Sequence, residues 1–408
     1  MSEPQSPAES SAREPAHGPA ESSAREPAHP TAGAPAAFPG GQALFRLDPA
    51  VSHLNHGSFG AVPTLVQQTQ AALRAQAHAD PDAFFLAVPD RLAQARARIA
   101  AHLAADPDGI AFVSNATEGA RLALDAVPLA DGDEILVTDH GYGTVVAAAA
   151  RRAPVTTVAL DPHLPDEDAV RKTVLAALRP RTKVAVLDHI SSPTARVIAS
   201  PRLLADLAAR GVTTVVDGAH APGMLADPLA GRADFWFGNL HKWAYAPPGS
   251  AILAVAPRHR HRIRPLVPSW EDHHGFPRAV EYRATADYTG WLAAPEGLDF
   301  LDRLDAAAVR AHNSALAAHG ADLLAEIPGL TRLPHTDGLA MRTLRLPPGV
   351  AETPQSARAL REELAARARI RVLIWPWPGG GGIRVCGQIY NRPEEYERLA
   401  AALPAHLA

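Results

Sequence analysis

Between residues 110 and 217, short runs of aliphatic and β-branched residues alternate with longer amphipathic stretches, and this alternation constrains the fold more than any other feature. The short runs have the length of strands, and the amphipathic stretches repeat their apolar residues with the period of a helix. Strands that alternate with helices form a mostly parallel sheet covered by helices. The strand candidates are Ile110–Val113, Glu134–Thr138, Val155–Leu160, Lys183–Leu187 and Val212–Asp217, and the helix candidates are 63–79, 90–104, 117–127, 142–152, 167–179 and 201–210.

After about residue 290 the pattern changes to that of an α+β unit. A long helical stretch, 295–326, precedes strand candidates at Gly338–Leu346, Ile370–Ile374 and Gly382–Val385 and helices near 355–368 and 393–407. We therefore predict a large domain over 43–294 and a smaller C-terminal domain over 295–408. Residues 1–42 are rich in Pro, Ala and Ser and repeat Pro7–His17 as Pro19–His29. Such a segment has too little apolar surface to offset its ordering entropy, so we predict a disordered tail.

The charge and the cysteine count exclude several classes of protein. The 408 residues carry a net charge of −4 with the two signs interspersed, whereas a nucleic-acid-binding protein shows a basic stripe. A single cysteine, Cys386, excludes a disulfide framework and a multi-cysteine zinc cluster. No apolar run has the length of a membrane span, and the N-terminus lacks the basic and apolar regions of a secretory signal. We expect a cytoplasmic protein with neither a nucleic-acid nor a membrane partner and with no metal site.

Lysine is scarce in this chain, which narrows the search for a titratable amine. Only three of the 39 basic residues are lysines, and two of them, Lys172 and Lys183, lie in charged stretches that read as exposed. The third, Lys242, lies in the aromatic, charge-poor segment 234–250. Burial among aromatic residues lowers the pKa of a lysine amine, which favours Schiff-base formation with an aldehyde. The segment is also compatible with a lysine that extends its ammonium group past apolar neighbours into water.

Asp217 and the segment Ser114–Gly119 add two further elements. Asp217 ends the apolar run Val212–Val216, and a carboxylate at the end of a buried strand needs a cationic partner or several hydrogen bonds. A protonated pyridine nitrogen is one such partner, and a Schiff-base lysine with an Asp on the pyridinium is typical of pyridoxal 5'-phosphate (PLP) enzymes. Capping of the next turn is the alternative role. Ser114–Gly119 opens a predicted helix whose backbone N–H groups suit a phosphate, although an ordinary helix cap has the same composition.

The order of these elements resembles the class V aminotransferase family of fold-type I PLP-dependent enzymes, and within it the isopenicillin N epimerase-like proteins. The resemblance extends over about residues 45–405. It implies a fold-type I PLP-transferase fold, in which a large domain with a mostly parallel, seven-stranded sheet is joined to a smaller C-terminal α+β domain. Its most specific part is Asp217 followed by His241-Lys242, and the other matching stretches are His53–Gly60, Asn115–Glu118, Asp139–Tyr142, Asp188–Thr194, Gly218–Gly223, Tyr282–Asp287, Arg384 and Tyr390-Asn391.

For the cofactor, the resemblance implies that PLP is bound through a Schiff base to Lys242, which would also move the α-proton. Asp217 would keep the pyridine nitrogen protonated, and His220 would form a hydrogen bond near the phenolate oxygen. His140, the second catalytic candidate, would stack on the ring, with Tyr142 as the alternative. The implied phosphate contacts are Asn115, the Ala116 N–H group, Thr117, His241 and, from the neighbouring subunit of a homodimer, Thr285.

For the substrate, the resemblance implies that Arg384 binds the α-carboxylate through its planar fork. Asn55, His56 and Tyr142 would line the substrate mouth. Arg384 follows four glycines, Gly379–Gly382, which indicate either a tight turn with a close backbone approach or a mobile loop. The motif Trp375–Pro378 is compatible with a pocket wall and equally with a stiff turn of packed indoles.

The reaction is less constrained than the cofactor, because one scaffold hosts racemisation, transamination, β-elimination and desulfuration. Desulfuration needs a mobile thiolate, and Cys386 lies in a predicted strand, where it cannot swing and burial raises its pKa. Epimerisation needs a base on each face of the α-carbon; Lys242 supplies one, and the other candidates are His140, Tyr142, His56 or water. Our first interpretation is an isopenicillin N epimerase-like epimerase of an amino-acid-type substrate. The alternatives are a C–S β-lyase, an aminotransferase and a degenerate binding module without catalysis.

Overall fold

The alternating runs of the sequence form the strands and helices of a seven-stranded α/β fold. The computed structural model describes residues 33–377 and 379–407. The strands are β1 (Ser52–His53), β2 (Ile110–Val113), β3 (Glu134–Thr138), β4 (Val155–Val158), β5 (Thr182–Asp188), β6 (Thr213–Asp217), β7 (Phe235–Asn239), β8 (Ala251–Val255), β9 (Thr331–Arg332), β10 (Met341–Arg345), β11 (Ile370–Arg371), β12 (Leu373–Trp375) and β13 (Gly382–Cys386). The helices are α1 (Thr64–Ala79), α2 (Pro81–Leu86), α3 (Val88–His102), α4 (Ala116–Ala126), α5 (Gly143–Ala150), α6 (Glu167–Ala176), α7 (Pro201–Ala209), α8 (Arg278–Glu281), α9 (Thr289–Arg303), α10 (Ala306–Ala325), α11 (Pro354–Arg367) and α12 (Pro393–Ala402).

The seven-stranded sheet has the order β2-β8-β7-β6-β5-β3-β4. Neighbouring strands from β7 to β4 run parallel, whereas β8 runs antiparallel to both β7 and β2. The prediction of a mostly parallel sheet is therefore confirmed. Because the carboxyl ends of parallel strands meet at one edge, the residues that end or follow β3, β5, β6 and β7 come together there, where ligands bind in sheets of this kind.

Both faces of the central strands of this sheet are buried, which explains their long apolar runs, whereas the edge strand β4 is partly exposed. Side chains alternate between the faces along each strand. In β6, Val215 packs with residues of α4 and α5, whereas the adjacent Val216 packs with residues of α3, α7 and α9. The two helical layers thus hold the carboxyl edge of the sheet in place from both sides.

Several elements of the structure differ from the sequence predictions. The single helical stretch predicted over 295–326 is two helices, α9 and α10, and the chain turns between them at Asp305. Asp305 adopts a left-handed conformation (φ 61°), and its carboxylate accepts hydrogen bonds from the N–H groups of Ala307 and Ala308. The short helices α2 and α8 and the strands β1, β7, β8 and β9 were not predicted. The domain boundary predicted after residue 294 falls within α9.

The C-terminal part is built on the four-stranded antiparallel sheet β12-β13-β10-β9, as the α+β pattern predicts. Its core joins this sheet to α10, α11 and α12 and includes Leu54 from the N-terminal segment. Parallel pairing of β1 with β11 brings this N-terminal segment to the C-terminal part. From Pro35 onward, the chain forms one compact unit.

The backbone of Gly379–Gly382 packs closely against neighbouring groups, which is one of the two alternatives predicted from the sequence. Gly380 has a φ of 113°, and a Cβ atom there would overlap the carbonyl oxygen of Leu346. A Cβ atom on Gly382 would overlap the indole ring of Trp375. Pro378, the last residue of the tryptophan motif, lies outside the described residues.

The predicted tail, 1–42, falls largely outside the described residues, which begin at Gly33, and its tandem repeat falls outside them entirely. Among the residues that are described, no helix has the length and apolar character needed to cross a membrane.

Candidate active site

A cavity of about 500 Å³ lies at the carboxyl edge of the seven-stranded sheet. Its wall combines the ends of β5 and β6, the turns that follow β3 and β7, the start of α4 and residues 55–59 of the N-terminal segment. The C-terminal part adds Arg361 and Leu373. Nine of the residues singled out from the sequence meet here: Asn55, Asn115, Ala116, Thr117, Tyr142, Asp217, His220, His241 and Lys242.

The Lys242 amine is held in a buried position at this cavity. Desolvation lowers its pKa to about 8, the positive charge of Arg384 adds to this effect, and the carboxylate of Asp217 opposes it. The other two lysines are exposed: Lys172 pairs with a carboxylate of its own helix, and Lys183 donates to the carbonyl oxygen of Pro180. Lys242 is therefore the lysine whose amine deprotonates near neutral pH, as its aromatic surroundings in the sequence suggested.

His220 contacts the Lys242 amine, and the protonation of its ring determines whether the charged or the neutral amine is favoured. Its Nδ1 atom accepts a hydrogen bond from the indole N–H of Trp243 at 3.3 Å, and its Nε2 atom lies 3.4 Å from Nζ of Lys242. Burial lowers the pKa of His220 well below its usual value, so the ring is neutral. A neutral ring whose Nδ1 accepts carries its proton on Nε2. The Nε2–H group can then donate a hydrogen bond to Nζ when the Lys242 amine is neutral, because only the neutral amine has a free lone pair.

Asp217, at the end of β6, presents a buried carboxylate to the cavity. One oxygen accepts a hydrogen bond from the N–H group of Ala219 at 2.9 Å. No further donor reaches this carboxylate from residues 33–377 or 379–407. Burial raises its pKa, and the Ala219 hydrogen bond and the charge of Lys242 oppose that shift. The carboxylate thus has room for one more cationic or N–H partner on the cavity side.

Asp188 is a second carboxylate at this edge, and from the sequence it was noted only within the matching stretch Asp188–Thr194. The register of β5 and β6 places Asp188 directly beside Asp217, and both line the cavity. Burial and the charge of Asp217 raise the pKa of Asp188 well above its usual value. Two adjacent buried carboxyl groups cannot both ionise cheaply, so the pair holds a proton and Asp188 is the group that keeps it.

The start of α4 offers fewer free donors than the sequence suggested. The side chain of Asn115 accepts from the N–H group of Glu118, as an N-cap does. The Ala116 N–H group, predicted to contact a phosphate, already donates to Oδ1 of Asn239 at the end of β7. Among the described residues no acceptor reaches the N–H group of Thr117, which therefore stays available for a ligand. Asn239 was missed because β7 was not recognised as a strand.

His241 also lines the cavity and has one ring nitrogen committed. Its Nδ1 atom lies 3.0 Å from the carbonyl oxygen of Ser250 and donates to it. The Nε2 atom has no partner among the described residues. Burial lowers the pKa of His241, so in the neutral ring Nε2 carries a lone pair, and this atom could donate to an anionic group only if the ring were protonated. The N–H group of Thr117 is the open donor of this part of the wall.

Two predicted residues lie behind the cavity wall. His56, predicted at the substrate mouth, is 1% exposed and hydrogen-bonds the Lys242 carbonyl oxygen at 3.0 Å and the Tyr390 hydroxyl at 3.0 Å. His140 is also buried; its ring lies edge-on to Trp377, and its Nδ1 atom is 3.4 Å from the hydroxyl of Thr194. The structure therefore places His56 beneath Lys242 and brings Tyr142, not His140, to the wall.

Arg384 is fully buried behind two residues of the wall. Its Nη1 atom donates to the carbonyl oxygen of Ser192 at 2.8 Å and to the Ser192 hydroxyl at 3.0 Å, and its Nη2 atom donates to the Ser58 hydroxyl at 3.5 Å. Ser58 and Ser192 both line the cavity. The guanidinium therefore lies directly behind the cavity wall and is held by two residues that line it.

Thr285 and Cys386 lie away from the cavity. Thr285 is exposed on the loop between α8 and α9. Cys386 is buried on β13, where its sulfur accepts a hydrogen bond from the Gly57 N–H group at 3.4 Å. The thiol is thus a fixed core group, which agrees with the sequence argument against a mobile nucleophile.

The mostly parallel seven-stranded sheet, with a buried lysine and a strand-end carboxylate facing one cavity, defines a fold-type I protein. The chain belongs to the class-V aminotransferase family, whose model, "Aminotransferase class-V", matches residues 61–346.

Individual proteins support the same assignment. The chain is 35% identical to isopenicillin N epimerase of Streptomyces clavuligerus over 88% of its own length and 96% of that protein. It is 28% identical to putative L-cysteine desulfhydrase 1 of Oryza sativa subsp. japonica, over 87% of this chain and 83% of the relative. Among solved structures, a C-DES mutant with glycine covalently linked to the PLP cofactor matches with a TM-score of 0.78 and 21% identity, over 89% of this chain and 98% of that one.

Proposed function

We propose that this protein is a PLP-dependent enzyme that acts at the α-carbon of an amino-acid-type substrate, with epimerisation as its reaction. The observation that carries the proposal is the pairing of a buried amine, Lys242, whose pKa is lowered to about 8, with the Asp217 carboxylate in one cavity. Isopenicillin N epimerase, at 35% identity over nearly the whole chain, supports the choice of reaction.

The residues present fit the cofactor. Asp217 is a buried carboxylate that lacks a cationic hydrogen-bond partner on its cavity side, and a pyridinium nitrogen is such a partner. Thr117 has a free N–H group for a phosphate, His241 would add an Nε2–H donor if the bound phosphate kept its ring protonated, and the start of α4 adds the favourable end of a helix dipole. When bound, PLP withdraws electrons from the α-carbon and so acidifies the α-proton.

Lys242 supplies the covalent link to the cofactor aldehyde and then, as a free neutral amine, takes up or returns the α-proton. His220 favours the neutral amine, because its Nε2–H group points to Nζ. Epimerisation also requires a proton donor on the opposite face of the α-carbon. Of the protein candidates weighed from the sequence, Tyr142 is the one that lines the cavity, so we assign it this second position.

The first experiment tests the cofactor. Purified protein supplied with PLP is expected to absorb visible light, and borohydride reduction followed by peptide mapping should place the modification on Lys242 alone. Because the chain has three lysines, Lys183→Met is a matched control that leaves the visible absorption intact. A wild-type protein that remains colourless, or a modification found on another lysine, would show that the enzyme proposal is wrong.

The second experiment separates the reactions. In D₂O, an epimerase introduces deuterium at the α-carbon while the amino acid loses optical purity. A lyase releases ammonia and a keto acid, and an aminotransferase converts the cofactor to its amine form. The similarity to L-cysteine desulfhydrases makes a C–S β-lyase the second candidate. Keto acid formed faster than the racemised product would favour that candidate.

We also propose that the enzyme works as a homodimer that shares its sites. Thr285 is exposed and outside the cavity of its own chain, although the family resemblance implies a phosphate contact for it. A contact from a second copy reconciles these two facts.

A further inference from the structure

Arg361 is an arginine that lines the active-site cavity and has no partner among the described residues. It lies on α11, is half-buried, and contacts the cavity together with Leu373 of β12. Within residues 33–377 and 379–407, it forms no hydrogen bond and no ion pair. On the same helix, Arg358 pairs with Glu362 at 2.7 Å and Arg367 pairs with Glu363 at 3.0 Å. The acidic residues of this helix therefore neutralise its outward arginines and leave Arg361 directed to the cavity.

The position of Arg361 places it near the predicted carboxylate-binding residue. Leu373 and Arg384 are directly opposite each other in the antiparallel pair of β12 and β13, so their side chains leave the sheet on the same face. Helix α11 packs on β12, and its Arg361 lines the same cavity as Leu373. The C-terminal part thus brings two guanidinium groups to one side of the site.

The charges of the cavity do not neutralise Arg361. The two carboxyl groups that line the cavity, Asp188 and Asp217, are buried at the strand ends, and neither forms an ion pair with Arg361. An arginine stays charged at every physiological pH, and its planar fork matches a carboxylate. In a partly enclosed cavity, such a charge raises the local concentration of anions. A substrate with a neutral side chain would leave the positive charge of Arg361 without a counter-ion.

We propose that Arg361 binds a second carboxylate, at the far end of the substrate side chain, so that the enzyme selects amino acids with an acidic side chain. This proposal rests on the proposed function, because it assigns the α-carboxylate to Arg384. Arg361 is then a specificity-determining residue that contacts the substrate and takes no part in proton transfer.

Calorimetric titration tests this assignment on the purified protein, whatever reaction it catalyses. The ligands are three acids of increasing length, L-aspartate, L-glutamate and L-2-aminoadipate, and the amides of the first two. The wild type is expected to bind at least one acid roughly 10- to 100-fold more tightly than its amide, as a charge-assisted pair predicts. In Arg361→Gln this preference should disappear, while the affinity for the amide stays the same. Arg358→Gln is the matched control from the same helix and should retain the preference.

Three outcomes would overturn the proposal. Equal affinity of the wild type for acids and amides, or no binding of any acid, removes the selectivity that the proposal requires. Retention of the preference in Arg361→Gln shows that another group binds the distal carboxylate. An equal loss for acid and amide in Arg361→Gln shows that Arg361 binds the α-carboxylate instead. Arg361→Lys, which keeps the charge without the fork, should retain part of the preference and serves as a folding control. Failure of the cofactor proposal would appear separately, as an absence of borohydride-fixed PLP on Lys242.

Discussion

At the scale of single residues, the site depends on burial that changes the protonation of a few groups. Lys242 has a pKa lowered to about 8, and the pKa of Asp188 is raised well above its usual value. Both shifts have desolvation as their largest cause, and both favour the neutral form of the group. The Lys242 amine therefore loses its proton at a lower pH than an exposed lysine does, and Asp188 keeps its proton to a higher pH than an exposed aspartate does.

The lysine shift predicts how cofactor uptake depends on pH. The neutral amine attacks an aldehyde, so the rate at which PLP-free protein regains its visible absorption should rise with pH and level off above about 8. A lysine with an ordinary pKa would give a rate that still rises near pH 10. Stopped-flow absorption between pH 6 and 10 measures this midpoint. A midpoint near the ordinary value would contradict the burial of the amine.

The carboxyl pair predicts a gain in stability for Asp188→Asn. Because the folded-state pKa of Asp188 is raised, its contribution to stability is full below the unfolded value and is lost as the pH rises through the folded value. At pH 7, the wild type therefore bears a penalty that asparagine lacks. Urea unfolding should show Asp188→Asn to be more stable at pH 7 by on the order of 1 kcal/mol or more, and the difference should shrink towards pH 4. A variant that is less stable at pH 7 would contradict this account.

His56 shows what the sequence cannot specify about single residues. Asn55 and His56 are adjacent in a matching stretch, yet Asn55 lines the cavity and His56 lies beneath Lys242. Adjacent side chains point in different directions, and a local pattern does not reveal which one faces a cavity formed by distant segments. Lys242, Asp217 and His220 were predictable because each follows a recognisable strand or lies in a distinctive segment. Arg361 was not, because its helix pattern resembles that of its exposed neighbours.

The hydrogen bonds of His56 predict a positioning role. The N–H group of Ala61 lies near Nδ1, the Tyr390 hydroxyl donates to Nδ1, and the carbonyl oxygen of Lys242 accepts from Nε2, so the neutral ring is fixed in one tautomer. Burial lowers the pKa of His56 to about 4, which keeps the ring neutral. His56→Phe leaves these groups without partners, at a cost of about 1 to 3 kcal/mol for each buried group.

His56→Phe should therefore lower the melting temperature and weaken retention of the cofactor, measured as loss of visible absorption during dialysis. Tyr390→Phe, which removes one of these hydrogen bonds, is the matched control and should have the smaller effect. Equal behaviour of His56→Phe and the wild type would exclude the positioning role.

At the scale of elements, the alternation of apolar runs was enough to predict β3, β5 and β6, because strands buried on both faces are mostly apolar, and it also predicted the edge strand β4. The strands β7 and β8 were not predicted from the sequence. β7 (Phe235–Asn239) mixes aromatic residues with a glycine, and β8 (Ala251–Val255) is short and rich in alanine. The break between α9 and α10 also escaped recognition, because apolar residues continue with helical spacing through it and only Asp305 marks it.

Asp305 predicts a ranking of variants at this break. Its carboxylate caps two N–H groups of α10, and its φ of 61° is unfavourable for most side chains. Asparagine keeps both properties, glycine keeps only the backbone freedom, and alanine keeps neither. Asp305→Asn should match the wild type in thermal unfolding, Asp305→Gly should be less stable, and Asp305→Ala should lose the most, about 1 to 3 kcal/mol. If alanine is as stable as asparagine, the turn does not depend on this cap.

At the scale of the whole molecule, several large apolar side chains of the described residues are exposed on the surface of the single chain. Trp270 is 85% exposed and Phe59 is 86% exposed, and Leu266 and Val267 lie in the same segment as Trp270. Phe59 belongs to the cavity wall. Exposed apolar side chains of this size are typical of protein interfaces. The segment 266–270 precedes the loop of Thr285, the residue that we assign to the partner's phosphate site.

The homodimer can be tested through this segment. The wild type should sediment with twice the chain mass of 43.1 kDa, and Trp270→Glu should shift the population towards the single-chain mass, because a charge at an apolar interface is costly to desolvate. Loss of the dimer should also weaken PLP retention, since Thr285 then no longer reaches the neighbouring site. Arg358→Gln, remote from this segment in sequence, serves as a control that keeps both mass and cofactor. A wild type that sediments as a single chain while retaining PLP and turnover would show that each site is complete within one subunit.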